Sequence, residues 1–95
     1  MKLVLANADA GCLDELRDNL RRLEVPGYTI VPVAEGAGRT GLHTGDRVHP
    51  GALAAVMVVA PDEQATVLFD DLVQCRDRMG DTVTRFFMLP VERQA

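Results

Sequence analysis

The run Leu53-Ala54-Ala55-Val56-Met57-Val58-Val59-Ala60 is apolar throughout and lies between Gly51 and Pro61. An apolar run of this length, bounded by turn-forming residues, is typical of a β-strand inside a sheet. Alternate residues of a strand point to opposite faces, and neither alternate set is polar here. The run therefore predicts a central strand, in a sheet whose two faces both need cover.

Two helices are predicted from apolar residues that recur at spacings of three and four. Asp9 is suited to cap a first helix that begins near Ala10 or Gly11, and Val25-Pro26-Gly27 ends it. Its apolar stripe comprises Leu13, Leu16, Leu20 and Leu23. Pro61-Asp62-Glu63 begins the second helix, with acidic residues at its positive end. Its buried face is predicted to comprise Ala65, Leu68, Leu72, Cys75 and Met79, and Gly80-Asp81 turns the chain afterwards.

Further strands are predicted at Lys2 to Ala6, Tyr28 to Ala34 and Thr84 to Val91. The resulting β-α-β-β-α-β order predicts an α+β, ferredoxin-like sandwich. Its antiparallel four-stranded sheet has strand order 4-1-3-2, with both helices on one face. Pro32 and Pro90 support this order, because they fall in the two edge strands and proline is confined to edges and bulges.

The bulk composition fits one soluble domain over residues 1–95. The net charge of −4 argues against a nucleic-acid partner, and no run is long enough for direct membrane insertion. The chain contains no serine, which excludes a Ser-His-Asp triad, and no other catalytic set is evident, so we do not expect an enzyme. An uncovered apolar sheet face would be unusual in a monomer, and we expect an oligomer.

The two cysteines predict a reducing compartment, the cytoplasm, and not a disulfide framework. Cys75 lies on the apolar stripe of the second helix and is expected to be a small core residue. Cys12 lies in the first turn of the first helix and is expected to be a partly buried, inert thiol. Nothing in the sequence places the two side by side.

The stretch between the second and third strands, residues 36–51, differs from the rest of the chain. Five of the eight glycines lie in the stretch from Glu35 to Gly51, together with both histidines. Connections of this length inside a small domain tend to be functional. We interpret it as a loop that responds to a ligand or binds a partner.

At this point the chain resembles the PII-like family of signalling proteins over nearly its whole length. The segments that carry the resemblance are Leu13-Asp14-Glu15-Leu16-Arg17, Val25-Pro26-Gly27-Tyr28-Thr29, Gly36-Ala37-Gly38-Arg39 and Met79-Gly80-Asp81. The third segment matches the start of the family's T-loop, and the last matches its B-loop. The resemblance implies a homotrimer that binds an adenine nucleotide between subunits and signals to a transporter or enzyme through the T-loop. It implies ligand-binding roles for Thr29, Gly36, Gly38, Arg39, Thr40, Gly80 and Asp81.

The chain also departs from the family pattern. Thr82, Val83 and Thr84 stand where other members have a lysine shortly after the B-loop glycine, and only Arg85 and Arg93 follow. We therefore expect no resident cofactor, and an effector such as ADP or AMP in preference to Mg-ATP. Within the loop, Gly36 to Thr40 is expected to form an anchored base and Gly41 to Gly51 a mobile tip.

Two alternatives remain open at the level of sequence. His43, Asp46 and His49 could together hold Zn, Ni or Cu, as in a metal-binding or CutA-like relative. No helix fixes their spacing, so we favour the interpretation of two surface histidines on a mobile loop. An ACT-like interaction module shares the strand order, but its second and third strands are usually joined by a tight hairpin.

Overall fold

The computed structural model describes residues 1–33, 35–38, 41–44, 54–80 and 85–95, with backbone alone for residue 10 and the strands at 35–38 and 41–44. In these residues the chain forms β1 (Lys2–Ala8), α1 (Ala10–Leu23), β2 (Gly27–Pro32), β3 (Glu35–Gly38), β4 (Gly41–Thr44), β5 (Ala54–Ala60), α2 (Asp62–Arg78) and β6 (Phe87–Pro90).

The main sheet contains four antiparallel strands in the order β2-β5-β1-β6. Counted along the chain without the β3-β4 hairpin, this is the predicted order with the second and fourth strands at the edges. Pro32 and Pro90 are the last residues of the two edge strands. The ferredoxin-like α+β fold and the edge assignment drawn from proline are both confirmed.

The first helix begins and ends as its terminal residues predict. The Asp9 carboxylate accepts a hydrogen bond from the Cys12 backbone N–H at 3.1 Å, so Asp9 is the N-cap. At the other end Glu24 has a left-handed backbone with φ 50°, and its N–H bonds to the Arg21 carbonyl. This left-handed residue stops α1 three positions before β2 begins at Gly27.

The core lies between the sheet and both helices. The sheet contributes alternate residues of β1 and β5, of which Val4, Val56 and Val58 are 0% exposed. The helices contribute a buried set that comprises Leu16, Leu20, Ala65, Leu68 and Leu72. Both helices therefore cover the same face, which we call the covered face of the sheet.

The opposite face, here called the open face, is also apolar, and the part of the chain that the structure describes does not cover it. Leu5 pairs with Met57 on one side and with Phe87 on the other, so the three share a row across the sheet. Leu5 and Met57 are each 38% exposed and Phe87 is 55% exposed. The sequence prediction of an apolar, uncovered face is confirmed for these strands.

Several details differ from the sequence prediction, and among them β1 ends at Ala8 instead of Ala6 and β2 begins at Gly27 instead of Tyr28. The connection after β2 contains the two-stranded β3-β4 sheet, where a continuous loop was expected. The last strand is shorter than the predicted Thr84 to Val91, since it covers Phe87–Pro90. Met79, predicted on the buried face of α2, is the C-cap residue and is 51% exposed. Residues 34, 53 and 84, which the predicted strands included, lie outside the described residues.

The expectation of two unrelated thiols is wrong. Cys12 and Cys75 form a disulfide, with their Cα atoms 5.9 Å apart, and each residue is 6% exposed. Periodicity places each cysteine on its own helix, but it does not say that the start of α1 meets the end of α2. The antiparallel packing of the two helices brings the pair together.

Candidate functional site

Three connections leave the sheet at one end, here called the loop end and defined by the pair Ala8 and Ala54. The chain passes from Ala8 through Asp9 into α1 there, and β2 also ends there, because Pro32 pairs with Ala54. The disulfide between the start of α1 and the last turn of α2 places the end of α2 at the same end. Gly80, which follows α2, therefore lies with the other two connections.

The first of the predicted ligand residues lie in the β3-β4 hairpin. Gly36 pairs with His43, and Gly38 pairs with Gly41. Gly36 and Gly38 are two residues apart on one strand, so they belong to the same face of the hairpin. The division into a base at 36–40 and a tip from Gly41 does not hold, because the first residues of the expected tip pair with the expected base. Arg39 and Thr40 join the paired glycines and lie outside the described residues.

Gly80 has the conformation that requires glycine. Its φ is +80°, and its N–H donates to the Asp77 carbonyl at 3.0 Å, which closes the end of α2. A side chain is strained at this φ although the space beside it is open. The glycine therefore sets the direction in which the chain leaves α2, and Asp81, the next predicted ligand residue, lies outside the described residues.

Thr29 is placed differently from the other predicted ligand residues. It pairs with Met57 in the middle of β2 and is exposed on the open face. It shares the row of Met57, Leu5 and Phe87, and not the loop end. A ligand site that used both Thr29 and the loop end would therefore extend along the open face.

Sequence reasoning missed the sulfur cluster at the loop end. The Cys12 Sγ lies 3.4 Å from the Met79 Sδ, in addition to its bond to Cys75. The Met79 side chain also lies against Gly11, where an added Cβ would meet its Cε at 3.4 Å. The sequence did contain a signal for this pair. One cysteine lies in the first turn of a predicted helix and the other lies in the last turn of the second helix, and these turns are adjacent when two helices pack antiparallel.

Polar side-chain contacts join α1 to α2 along the helix pair. Arg78 donates to the Glu15 carboxylate at 2.7 Å near the loop end. Asn19 donates to Asp71 at 3.0 Å further along the pair. At the far end, the Gln64 amide donates to the Leu23 carbonyl at 2.7 Å, while its own oxygen is buried without a partner among the described residues. These contacts fix the register of α1 against α2.

The pKa of the Asp62 carboxyl lies below its ordinary value at the end of α2 away from Gly80. The main cause is a hydrogen bond from the Met1 ammonium, whose nitrogen lies 2.6 Å from the Asp62 Oδ1. The positive charges of the same ammonium and of Lys2 lower the pKa further, while desolvation opposes them. This perturbed carboxyl therefore belongs to the opposite end of the molecule from the candidate site.

The alternative metal site falls largely outside the described residues. His43 is placed by its backbone in β4, and Asp46 and His49 are not described. Among the residues that the structure does describe, no group of three or more His, Cys, Asp or Glu side chains is arranged to hold a metal ion.

Neither α1 nor α2 is long and apolar enough to cross a membrane, and these are the helices within the described ranges.

The order of strands, the helices on one face and the long connection at the loop end define a small ferredoxin-like domain of the kind used in regulatory proteins. Residues 1–94 match the family model described as Nitrogen regulatory protein P-II, and the chain belongs to that family. The resemblance noted from its sequence motifs is thereby confirmed.

Comparison with solved structures supports the same fold. The chain is similar to a DUF3240 family protein from Shewanella baltica OS155, whose crystal structure was determined at 2.40 Å resolution. The TM-score is 0.70, and the two chains share 18% identity over 99% of this chain and 92% of the other. At that identity the likeness shows the fold alone. A search of curated proteins finds no match.

Proposed function

We propose that this protein is a homotrimeric PII-like regulator that binds a small anionic ligand in the clefts between its subunits. The preferred ligand is an adenine nucleotide such as ADP or AMP, in preference to Mg-ATP. The 36–51 connection passes the signal to a protein target, a transporter or an enzyme, in the cytoplasm. Members of the family are regulatory and are typically trimers that bind effectors and protein targets, and we propose no catalytic activity for this chain.

The observation that carries this proposal is that two glycine-bearing connections leave the body of the domain at the same end, the loop end. β2 leaves the sheet there toward Gly36 and Gly38, and α2 leaves there through Gly80. The N-terminus of α1, with its partial positive charge, begins at the same end. Glycine backbones allow N–H groups to approach an anion closely, and a helix N-terminus favours negative charge.

The open face supports the trimeric part of the proposal. A row of exposed apolar residues crosses β6, β1 and β5 and is continuous with Thr29 on β2. Soluble monomers rarely leave such a face uncovered, and a second copy of the chain supplies cover of matching chemistry. Because Thr29 lies on this face, a neighbouring subunit would complete a ligand site that reaches from the loop end to Thr29.

The choice of ligand follows from the sequence after Gly80. Thr82, Val83 and Thr84 supply hydroxyl groups and a methyl-bearing side chain where a lysine would supply a positive charge. A triphosphate needs several cations, whereas one or two phosphate groups need fewer. This supports ADP or AMP as the better match.

Two measurements come first: one counts the subunits, and the other identifies the ligand that binds. Light scattering on the full chain is expected to give a mass three times that of the 10.3 kDa protomer. A thermal-shift panel with ATP plus Mg²⁺, ADP, AMP and cyclic dinucleotides is expected to show the largest stabilisation with ADP or AMP.

A variant pair then assigns the site. Arg39→Ala is expected to remove the thermal shift, because we propose that this guanidinium contacts phosphate. Arg21→Ala is the matched control, since Arg21 lies on the exposed surface of α1 near its C-terminal end. A monomer by light scattering excludes clefts between subunits. No shift with any ligand at millimolar concentration, in wild type and both variants, excludes nucleotide sensing.

A further inference from the structure

The disulfide lies where it can control the candidate site. It joins the third residue of α1 to Cys75, in the last turn of α2 and five positions before Gly80. The same sulfur of Cys12 contacts Met79, the residue that directly precedes Gly80. The position of the chain that leaves α2 therefore depends on this bond.

The other contacts between the helices near the loop end are weak or adaptable. The Arg78–Glu15 pair has side chains that are 62% and 43% exposed, and exposed pairs contribute little to stability. Met79 is itself 51% exposed and is held mainly against Gly11 and Cys12. Leu16 and Leu72 are buried one turn inward from the disulfide, and the far end differs because the Gln64 amide is bonded there to the Leu23 carbonyl. Loss of the disulfide would loosen the end of α2 that leads to Gly80 more than the other end.

The surroundings of the bond bear on its reduction. Cys12 lies in the first turn of α1, where the helix dipole favours a thiolate, while the Asp9 carboxylate that accepts from the Cys12 N–H opposes it. Both cysteines line a shallow groove between α1 and α2, and the Met79 side chain that covers Cys12 is flexible and half exposed. Access of a small dithiol to the bond therefore requires movement of the Met79 side chain.

We infer that Cys12 and Cys75 form a redox switch that sets the order of the last turn of α2 and of Gly80, and through them the affinity for the anionic ligand. Reduction by a cellular dithiol breaks the Sγ–Sγ bond. Two electrons from the donor and two protons give two thiols, and the donor becomes a disulfide. The effect on affinity rests on the proposed function, whereas the effect on the order of α2 does not.

The test compares the oxidised full-length protein with the same protein after treatment with a phosphine reductant. Mass spectrometry in oxidised and reduced glutathione buffers establishes the state of the two cysteines. Calorimetry with ADP is expected to show at least about fivefold weaker binding after reduction, since ordering the site in advance favours ligand binding. Hydrogen exchange at residues 76–80 is expected to become faster, with little change near Gln64.

Variants separate the bond from other effects of the reductant. The double variant C12A/C75A is expected to behave like the reduced protein in both buffers, with circular dichroism as the check of folding. Gln64→Ala loosens the far end of the helix pair and is expected to keep the full difference between the oxidised and reduced forms.

Any one of three results would overturn the proposed switch. The thiols could stay free in the oxidising glutathione buffer. Hydrogen exchange at residues 76–80, or the affinity for ADP, could be equal in the oxidised and reduced forms. If ADP binds neither form, the proposed function fails, and hydrogen exchange alone decides whether the bond orders the end of α2.

Discussion

The two faces of the main sheet carry similar side chains in very different surroundings. On β5, Val56 and Val58 are 0% exposed beneath the helices, while Met57 between them is 38% exposed. Apolar residues on both faces of a strand show that both faces need cover, but not where the cover comes from. In this protein the helices cover one face, and we propose that other subunits cover the second.

The largest expected effect is on the covered face. Val56→Asp places a carboxylate where no partner is available, and such a burial costs on the order of 5 kcal/mol. We expect the variant to lose its cooperative unfolding transition or to unfold at much lower urea concentration. A variant with wild-type stability would contradict the core described here.

Met57→Asp makes the same chemical change one residue along the strand. Because Met57 is on the open face, we expect the chain to keep its circular dichroism spectrum but to dissociate to monomers. Light scattering measures the mass of both variants under the same conditions. A trimer that survives Met57→Asp would show that this face is not the interface between subunits.

The third-largest expected effect is that of removing the disulfide, which tests how α1 and α2 are held on the covered face of the sheet. The disulfide closes a loop with a sequence separation of 63 residues, and the chain-entropy estimate for such a loop is about 4 kcal/mol. We expect C12A/C75A to lose about 2–4 kcal/mol of unfolding free energy in urea titrations. Treatment of the wild type with a reductant should give a similar loss. A loss below about 1 kcal/mol would show that packing alone holds the helices on the sheet.

A smaller loss of stability is expected from a substitution at Gly80, where the chain leaves α2. Gly80→Ala forces a Cβ into a backbone with φ +80°, at a cost of about 1 kcal/mol. Since the space beside Gly80 is open, steric contact should add little. Gly27→Ala is the control, because it also has open space but no positive φ. Equal urea midpoints for the two variants would contradict the assigned strain.

The smallest loss of stability is expected from the exposed ion pair between α1 and α2. Arg78→Ala removes the ion pair with Glu15, and its exposure limits the expected loss to about 0.5 kcal/mol. Urea titrations should give a smaller difference in unfolding free energy between the variant and the wild type at high salt than at low salt, because salt screens the ion pair. A loss comparable to that of C12A/C75A would show that the ion pair fixes this end of α2 as strongly as the disulfide does.

Much of the fold could be predicted from local patterns. The Asp9 cap, the leucine stripe of α1 and the two edge prolines each report on a few neighbouring residues, and each was confirmed. The β3-β4 hairpin was not predicted, because Gly36 and Gly38 lack the branched side chains that usually mark a strand. Its pairing depends on the backbone and leaves little trace in the sequence.

The candidate site was less accessible to prediction than the fold. Thr29 and Gly80 were identified from a family resemblance, but the position of Thr29 on the open face follows from the strand register, and that of Gly80 at the loop end follows from the direction of α2. The Cys12–Cys75 pair depends on which ends of the two helices meet, which is a property of tertiary packing. Arg39, Thr40, Asp81, Asp46 and His49 lie outside the described residues, and their roles stay predictions.

The prolines at the sheet edges have a consequence for polymerisation. β2 and β6 are short strands of six and four residues, and each ends in a residue that has no amide hydrogen to offer to another strand. Exposed edges are the usual starting points of fibrils, and these two are poor templates. Growth of this chain into endless edge-to-edge ribbons is thereby disfavoured.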